Sequence, residues 1–330
     1  GEVPAGLSGN PQGNTVLGID AGDALTSAAN NTLLGNDAGK ILTTAASNVI
    51  IGKSAGAAKT SGNNATIIGT AAGRDTASGS SVVLIGSEAG ISNTGDNAIA
   101  IGSESGRVNT ASATVSIGHN AGYSNTSGAS NTNIGYRAGY TNTTGGDSVN
   151  IGYDAGYTAT GSQNTTVGRG AFGGGFGHSG VGNVAMGYLA LQSPSGSSNY
   201  NIAIGSEALK GFGTKSNNVA IGYKACVGKS SGYYITSGNG NVTLGYQAGQ
   251  GIGTGTNNVA IGSSSDGTVN GTNTVVIGYA ATSSIANASN QVTLGNSSIS
   301  TLRCAVTSIT SLSDERDKTE IKDLGYGLAF

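Results

Sequence analysis

The chain is poor in charge, in aromatic side chains and in proline and cysteine. Of its 330 residues, 10% are charged and 5% aromatic, 3 are Pro, 2 are Cys and none is Trp. The net charge is −2 with scattered Lys and Arg, so there is no basic patch for nucleic-acid phosphates. No apolar run reaches the length that spans a bilayer. We therefore expect no nucleic-acid partner and no membrane insertion.

Glycine is abundant instead, and it is periodic. There are 59 Gly residues without a Gly-X-Y period, which excludes collagen. The pattern Asn-x-x-Ile-Gly-x-x-Ala-Gly recurs along the chain, and the glycine after Ile, here called the marker glycine, repeats mostly every 16 or 17 residues. Such a period predicts stacked units that each contact mainly their neighbours. Representative marker glycines are Gly52, Gly102, Gly152, Gly205, Gly222 and Gly262.

Each repeat has the composition of one coil of a β-solenoid. Aliphatic and β-branched residues precede the marker glycine, and a tail of Thr, Ser, Asn and Gly leads to the next unit. The sequence predicts an all-β fold, a parallel β-solenoid of about 17 coils with two or three very short strands each. We assign residues 1–13 to a leader segment, 14–300 to the solenoid shaft and 301–330 to a junction that begins a C-terminal segment. The longer intervals between markers predict loops on the shaft, not domain boundaries.

A small residue recurs in the middle of the strand pattern, as at Ala203, Ala220 and Ala260. Strand alternation places it on the opposite side from its aliphatic neighbours. A slot restricted to small residues predicts the close approach of a second surface, either a packed sheet or another subunit. Because a thin coil buries little by itself, we expect chains to assemble, most simply as a homotrimer. About 17 coils at roughly 4.8 Å each give a rod of roughly 80 Å.

Tyrosines occupy equivalent slots in successive repeats. Tyr136, Tyr153, Tyr223 and Tyr246 each follow a marker glycine, and another set follows the Ala-Gly pair. Equal slots predict rings stacked along the rod. We favour a stabilising ladder, and a stripe that stacks on sugar rings is the alternative.

The chain offers few residues with the spacing of a catalytic or metal site. His119 and His178 are far apart, so we expect no metal and no cofactor. Cys226 stands where most repeats have the glycine of Ala-Gly, and Cys304 lies beyond the repeats, which gives no disulfide framework. We expect no enzyme activity toward other molecules.

Segments such as residues 218–222 and 258–262, both Asn-Val-Ala-Ile-Gly, carry a resemblance to a known family. They are similar to the head repeats of trimeric autotransporter adhesins, in which such units form a left-handed parallel β-roll. The resemblance covers residues 14–300. It implies a β-roll and says nothing about a ligand.

The end of the chain concentrates charges, with Ser-Asp-Glu-Arg-Asp-Lys at residues 313–318. This segment resembles the start of the intramolecular chaperone domain of phage tail fibres and tailspikes, the peptidase S74 family. The resemblance implies that Ser313 attacks its own peptide bond, with Lys318 as the base, and that the cut falls after Ser313. The plainer interpretation is a helix N-cap at Ser313. Only 17 residues follow Ser313, so we expect no cleavage in the chain as it stands.

These observations favour a structural trimeric shaft of a viral tail fibre or spike that takes part in host attachment. Its partners would be its own copies and a host surface receptor, with a glycan as one candidate, and its location the virion tail. The alternative is an adhesin β-roll on a bacterial cell surface. A third reading, an ice-binding solenoid, needs a regular Thr array that these repeats lack.

Overall fold

The fold is a single stack of coils, each contributing one three-residue strand to a parallel sheet. The computed structural model describes residues 13–174, 177–192, 197–211, 215–227, 238–250, 252–266, 271–285 and 287–303. Coil numbers below follow the strand that begins each coil. The 17 strands are β1 Thr15–Leu17, β2 Thr32–Leu34, β3 Val49–Ile51, β4 Thr66–Ile68, β5 Val83–Ile85, β6 Ile99–Ile101, β7 Val115–Ile117, β8 Thr132–Ile134, β9 Val149–Ile151, β10 Thr165–Val167, β11 Val184–Met186, β12 Ile202–Ile204, β13 Val219–Ile221, β14 Val242–Leu244, β15 Val259–Ile261, β16 Val275–Ile277 and β17 Val292–Leu294.

Every strand pairs in parallel with the strand of the preceding and following coil, and equivalent slots face each other. In β12 and β13, for example, Ile202 pairs with Val219 and Ala203 with Ala220. The described part of the chain contains no helix and no antiparallel pairing. The predicted parallel β-solenoid with one coil per marker glycine is therefore confirmed.

The marker glycines are required by backbone geometry. Gly205 has a φ of +128°, a region that residues with a Cβ rarely adopt, and a Cβ there would lie 2.5 Å from the carbonyl oxygen of Gly222 in the next coil. Gly222 has the same relation to Gly245. The turns of successive coils thus stack backbone on backbone, and this explains the repeat of glycine at one slot.

The coil contains fewer strands than the sequence suggested. After the marker glycine the chain makes a turn through a left-handed residue, such as Ser54 with a φ of +56°, and a second through Gly56 with a φ of +51°. These turns hydrogen-bond to the neighbouring coils, for example from Gly56 N–H to Ala72 O at 2.9 Å. Elsewhere in the described residues only isolated bridges occur. The expectation of two or three strands per coil was wrong, because the Ala-Gly segment is a turn.

The middle residue of each strand faces the interior of its own chain. Ala203, Ala220 and Ala260 are fully buried without any second subunit, so their assignment to a subunit interface was wrong. The surface that approaches them belongs to the Ala-Gly turn of the same chain. In coils 11–13 that turn carries a larger residue in place of glycine. The turn residue and the middle strand residue of these coils pack in one cluster, which includes Leu209 and Cys226.

The sizes of the residues in the middle strand slot and in the turn slot are inversely related. In coil 5 the middle slot holds Leu84 and the turn holds Gly90, where an added Cβ would lie 2.5 Å from the Leu84 side chain. In coil 12 the order is reversed, with Ala203 in the strand and Leu209 in the turn. A close-packed interior has room for one large side chain per pair of slots. This inverse relation explains why the small slot is not small in every repeat.

Asparagine forms a buried polar column along coils 10–14. The residue before each strand is Asn164, Asn183, Asn201, Asn218 or Asn241. Each side-chain oxygen in the first four accepts both the backbone N–H and the side-chain amide of the Asn in the next coil, at 2.9–3.2 Å. These bonds satisfy amides that would otherwise be buried without partners.

Two lysines are also buried in the interior, and their ammonium groups donate to backbone carbonyls. Lys59 Nζ lies 2.8 Å from Gly79 O, and Lys215 Nζ lies 3.0 Å from Leu209 O. Desolvation by burial lowers the pKa of each from 10.5 to about 8. Desolvation also raises the pKa of the neighbouring Cys226 thiol to about 11.

Raising the pH from 8 to 9 is expected to stabilise the fold. Between the folded pKa of about 8 and the unfolded value of 10.5, the unfolded chain binds protons that the folded lysines have released. The free energy of unfolding should rise by about 1 kcal/mol per lysine over this step. Above pH 9 the raised pKa of Cys226 acts in the opposite direction, which limits the window.

The measurement is the denaturant midpoint at pH 8 and pH 9. The combined change of Lys59→Met and Lys215→Met should remove most of the rise. A midpoint that stays flat or falls in the unsubstituted protein would contradict the burial of these two amines.

The longer intervals do not interrupt the stack. β10 and β11 remain paired across the interval that contains Gly173, and β13 pairs with β14 across the interval of 23 residues. The chain divides into one compact unit that ends at Asn296 and a second from Ser297 to Phe330, of which residues 297–303 are described. Residues 1–12 of the leader lie outside the described residues, as do Cys304, Ser313 and Lys318.

Candidate functional site

The sheet face is the first extended surface that the fold leaves uncovered. It consists of the first and third residues of every strand, which point away from the interior. All of these are Val, Ile, Leu, Met or Thr, and the third is aliphatic in all 17 strands. They are only half-buried or exposed, with Leu244 45% exposed and Ile204 36%. The sheet face is therefore an uncharged, mainly aliphatic stripe along the whole described solenoid, with Thr at the first position of five strands.

The size of this stripe sets it apart from scattered surface hydrophobics. Seventeen strands spaced by about 4.8 Å give a length of roughly 80 Å, and two side chains give a width of roughly 10 Å. The resulting area of about 800 Å² exceeds the few hundred Å² that monomeric proteins usually expose as one apolar patch. A surface of this kind is typical of a contact with another macromolecule.

The ring column lies beside the sheet face and consists of the residues that directly follow the marker glycines. In coils 7–9 it holds His119, Tyr136 and Tyr153, stacked with centroid distances of 5.4 and 5.0 Å. Coil 10 places Arg169 in the same slot, with its guanidinium carbon 5.5 Å from the Tyr153 centroid and 5.7 Å from that of Tyr188. The planar guanidinium thus continues the stack between two rings.

A second ladder follows the Ala-Gly pair, and it ends at coil 9. Tyr123, Tyr140 and Tyr157 stack with centroid distances of 5.0 and 5.2 Å. The equivalent slot in coil 10 is Gly173, so no ring stacks on Tyr157 from that side. The slot after the ring column is also a glycine in coil 10, Gly170, where coil 9 has Asp154.

These two glycines open a cleft of about 410 Å³ in the side of the rod. Its floor is the backbone of Gly170 and Gly173, which stays hydrogen-bonded, from Gly170 N–H to Tyr153 O of coil 9 at 2.9 Å and from Gly173 N–H to Gly170 O within coil 10 at 3.1 Å. The cleft is therefore a gap in the side-chain columns and not a break in the coil. The other lining residues are Arg137, Tyr153, Asp154, Tyr157, Thr158, Arg169, Gly174, Tyr188, Leu189 and Gln192.

The charges of the cleft are unevenly satisfied. Arg137 forms a bidentate ion pair with Asp154 at 2.8 and 2.7 Å, and these bonds raise the pKa of Arg137 above its usual range. Arg169 has no carboxylate within ion-pair distance among the residues that the structure describes. With Arg137 and Asp154 neutralising each other, the lining carries one uncompensated positive charge.

The four tyrosines singled out from the sequence take part in ladders. Tyr136 and Tyr153 stack on each other, and Tyr223 stacks on Tyr246 at 5.4 Å. Tyr153 also borders the cleft. The sequence reasoning missed Arg169, Gly170 and Gly173. The sequence did contain a signal for this site, because Arg169 occupies a slot that holds tyrosine in coils 8, 9 and 11.

The described residues contain no group of three or more His, Cys, Asp or Glu that could hold a metal ion. Cys226 is buried and free. Within the same ranges there is no helix of the length and hydrophobicity needed to cross a membrane.

Comparison of the chain with known protein families and with curated proteins finds no match. The surfaces described above therefore carry the functional argument together with the sequence.

Proposed function

We propose that this chain is the shaft of a viral tail fibre or spike, assembled as a homotrimer, that takes part in host attachment. The observation that carries the proposal is the sheet face, an uncharged stripe over the whole described solenoid whose third position is apolar in every strand. A rod with an interior this thin gains stability if such stripes are buried against each other.

A second copy of the chain is the occupant that best fits the sheet face. The stripe contains no charged residue that would select a partner of another composition. It repeats with the period of the coil, so an identical rod aligned with it meets the same pattern along the full length. Its area of about 800 Å² equals what one partner contributes to a stable interface of standard size. Cyclic symmetry then closes the assembly.

Sedimentation velocity on the intact chain tests the assembly. The expected result is one species with the mass of three chains at micromolar concentration. A stable monomer would contradict the proposal, and a dimer would keep the interface but change its symmetry.

The charged segment at residues 313–318 supports the viral interpretation over the bacterial adhesin, because such adhesins end in a coiled-coil stalk and a membrane barrel. Antibodies raised against the rod should label virus tails in electron micrographs. Labelling of a bacterial envelope instead would favour the adhesin.

Self-cleavage is the second consequence of the resemblance. A chain that carries the complete chaperone domain is expected to cut itself after Ser313, because Lys318 can accept the hydroxyl proton once it is desolvated. Ser313→Ala and Lys318→Ala should both remain full length, and the matched control Ser311→Ala should cut normally. Mass spectrometry of the trimeric product decides the question. An uncut wild-type trimer would refute the catalytic roles and leave the shaft proposal standing.

A further inference from the structure

We propose that the cleft of coil 10 is a binding site for an oligosaccharide that carries a carboxylate, with Arg169 holding the carboxylate and Tyr157 stacking on a sugar ring. The proposed attachment role supplies only its biological use. Three features of the cleft support the proposal: an arginine without an ion-pair partner, a tyrosine with a ring stacked on one side only, and a floor without side chains.

Arg169 is the part of the cleft suited to an anion. Its guanidinium carbon lies 5.5 Å from the Tyr153 centroid and 5.7 Å from that of Tyr188, so both rings restrict its movement, and the residue is exposed. A guanidinium edge binds a carboxylate through two parallel hydrogen bonds, and an arginine already held between two rings loses less freedom on binding. The neighbouring Arg137 is less suited to an anion, because Asp154 already accepts from its Nε and Nη2 edge and neutralises its charge.

Tyr157 is the part suited to a sugar ring. Tyr140 covers one of its faces, whereas Gly173 leaves the side toward coil 10 without a ring. Tyr140, the interior ring of this ladder, has a ring on both sides, whereas Tyr157 has a ring on one side and the Arg137 guanidinium carbon 4.7 Å from its centroid. Tyr157 therefore differs from Tyr140 in having no ring stacked on it from coil 10. The C–H groups of a pyranose pack on an aromatic face, and its hydroxyls can reach Gln192 across the cleft.

The floor of the cleft leaves space for a ligand because coil 10 has glycine, and therefore no side chain, at two positions. The slot of Gly170 holds Asp154 in coil 9 and Leu189 in coil 11. The slot of Gly173 holds Tyr157 in coil 9 and Gln192 in coil 11. The cleft of about 410 Å³ lies within the 300–1,000 Å³ range of small-molecule sites and has the few convergent polar groups that such sites use. A carboxylated sugar unit with one neighbour is of suitable size.

The experiment is a binding titration on the full chain, followed by saturation-transfer NMR and calorimetry. The probes are 3′-sialyllactose, a glucuronate-containing hyaluronan tetrasaccharide, and lactose as the uncharged comparison. We expect one of the acidic probes to bind at least ten times more tightly than lactose, and to weaken as salt is added. The two acidic probes separate a sialic acid from a uronic acid as the carboxylate source.

Two variants test the residues. Arg169→Tyr places in the column the residue that coils 9 and 11 already have, so it removes the charge and keeps the stack. Gly173→Gln copies the next coil and fills the floor. A Cβ there meets backbone oxygens at 3.2 Å, so the backbone must yield only slightly. Both should lose acidic-probe binding at least tenfold. Arg107→Gln is the matched control, since Arg107 stacks on Tyr123 elsewhere on the rod and already contacts carboxylates.

Binding that survives in Arg169→Tyr, equal binding of lactose, or no binding of either acidic probe would overturn the site. Sedimentation of the same samples separates this result from the shaft proposal. A monomer that binds the probe leaves the site standing, and a trimer that does not bind leaves only the shaft.

Discussion

Gly205→Ala is expected to abolish or severely weaken folding of the solenoid. The added Cβ would lie 2.5 Å from the carbonyl oxygen of Gly222, and the φ of +128° is a region that Ala does not tolerate. Backbone strain costs about 1–3 kcal/mol by itself. The collision with fixed backbone adds to this, so the free energy of unfolding should fall by more than about 4 kcal/mol, among the largest effects of single substitutions.

Thermal and urea unfolding followed by circular dichroism measure this effect. The control is Glu207→Ala in the same turn, where the residue already has a Cβ at a φ of +57°. It removes only the half-buried ion pair with Lys210, so the loss should stay below about 1 kcal/mol. Equal unfolding curves for Gly205→Ala and wild type would show that the turns do not stack backbone on backbone.

Val49→Lys is expected to convert the assembled rod into monomers. Val49 belongs to the sheet face and is 36% exposed in the single chain, so a lysine there has room within the coil. In a symmetric assembly, however, the substitution brings one ammonium per chain into an apolar interface, and burying an unpaired charge costs several kcal/mol per ion. Ile202→Lys in coil 12 should have the same result.

The matched control is Ser61→Lys, which adds the same charge to the exposed tail of the same coil. Light scattering should report the assembled mass for this control and the monomer mass for Val49→Lys, with β-structure retained in both. An assembled Val49→Lys protein would exclude the sheet face as the contact between chains.

The sequence by itself determined the period, the strand direction and the number of coils. This was readable because the marker glycine is required at the same point of every turn, where no other residue fits. The columns of like residues follow from the same register, since in-register parallel coils place equal slots above one another, as Tyr136 above Tyr153.

Only the tertiary structure decided which side of the strand is covered. Alternation shows that Ala203 and Ile204 lie on opposite faces, but it does not show which face the turn of the same coil closes. Because the Ala-Gly turn folds over the middle slot, Ala203 is buried and Ile204 remains exposed. For this reason the sequence interpretation left open whether a packed sheet or another subunit approaches Ala203, and the structure shows a turn of the same chain there.

The cleft likewise depends on contacts across coils. Nothing in the Gly-rich sequence around them marks Arg169, Gly170 and Gly173 as site residues. Their role becomes visible only by comparison with the residues in the same slots of the neighbouring coils. Two glycines in adjacent columns create a gap only when the neighbouring coils fill those columns with Asp154, Tyr157 and Gln192. The period determines which residues share a column, whereas the side chains of the neighbouring coils decide that the two glycines form a cleft.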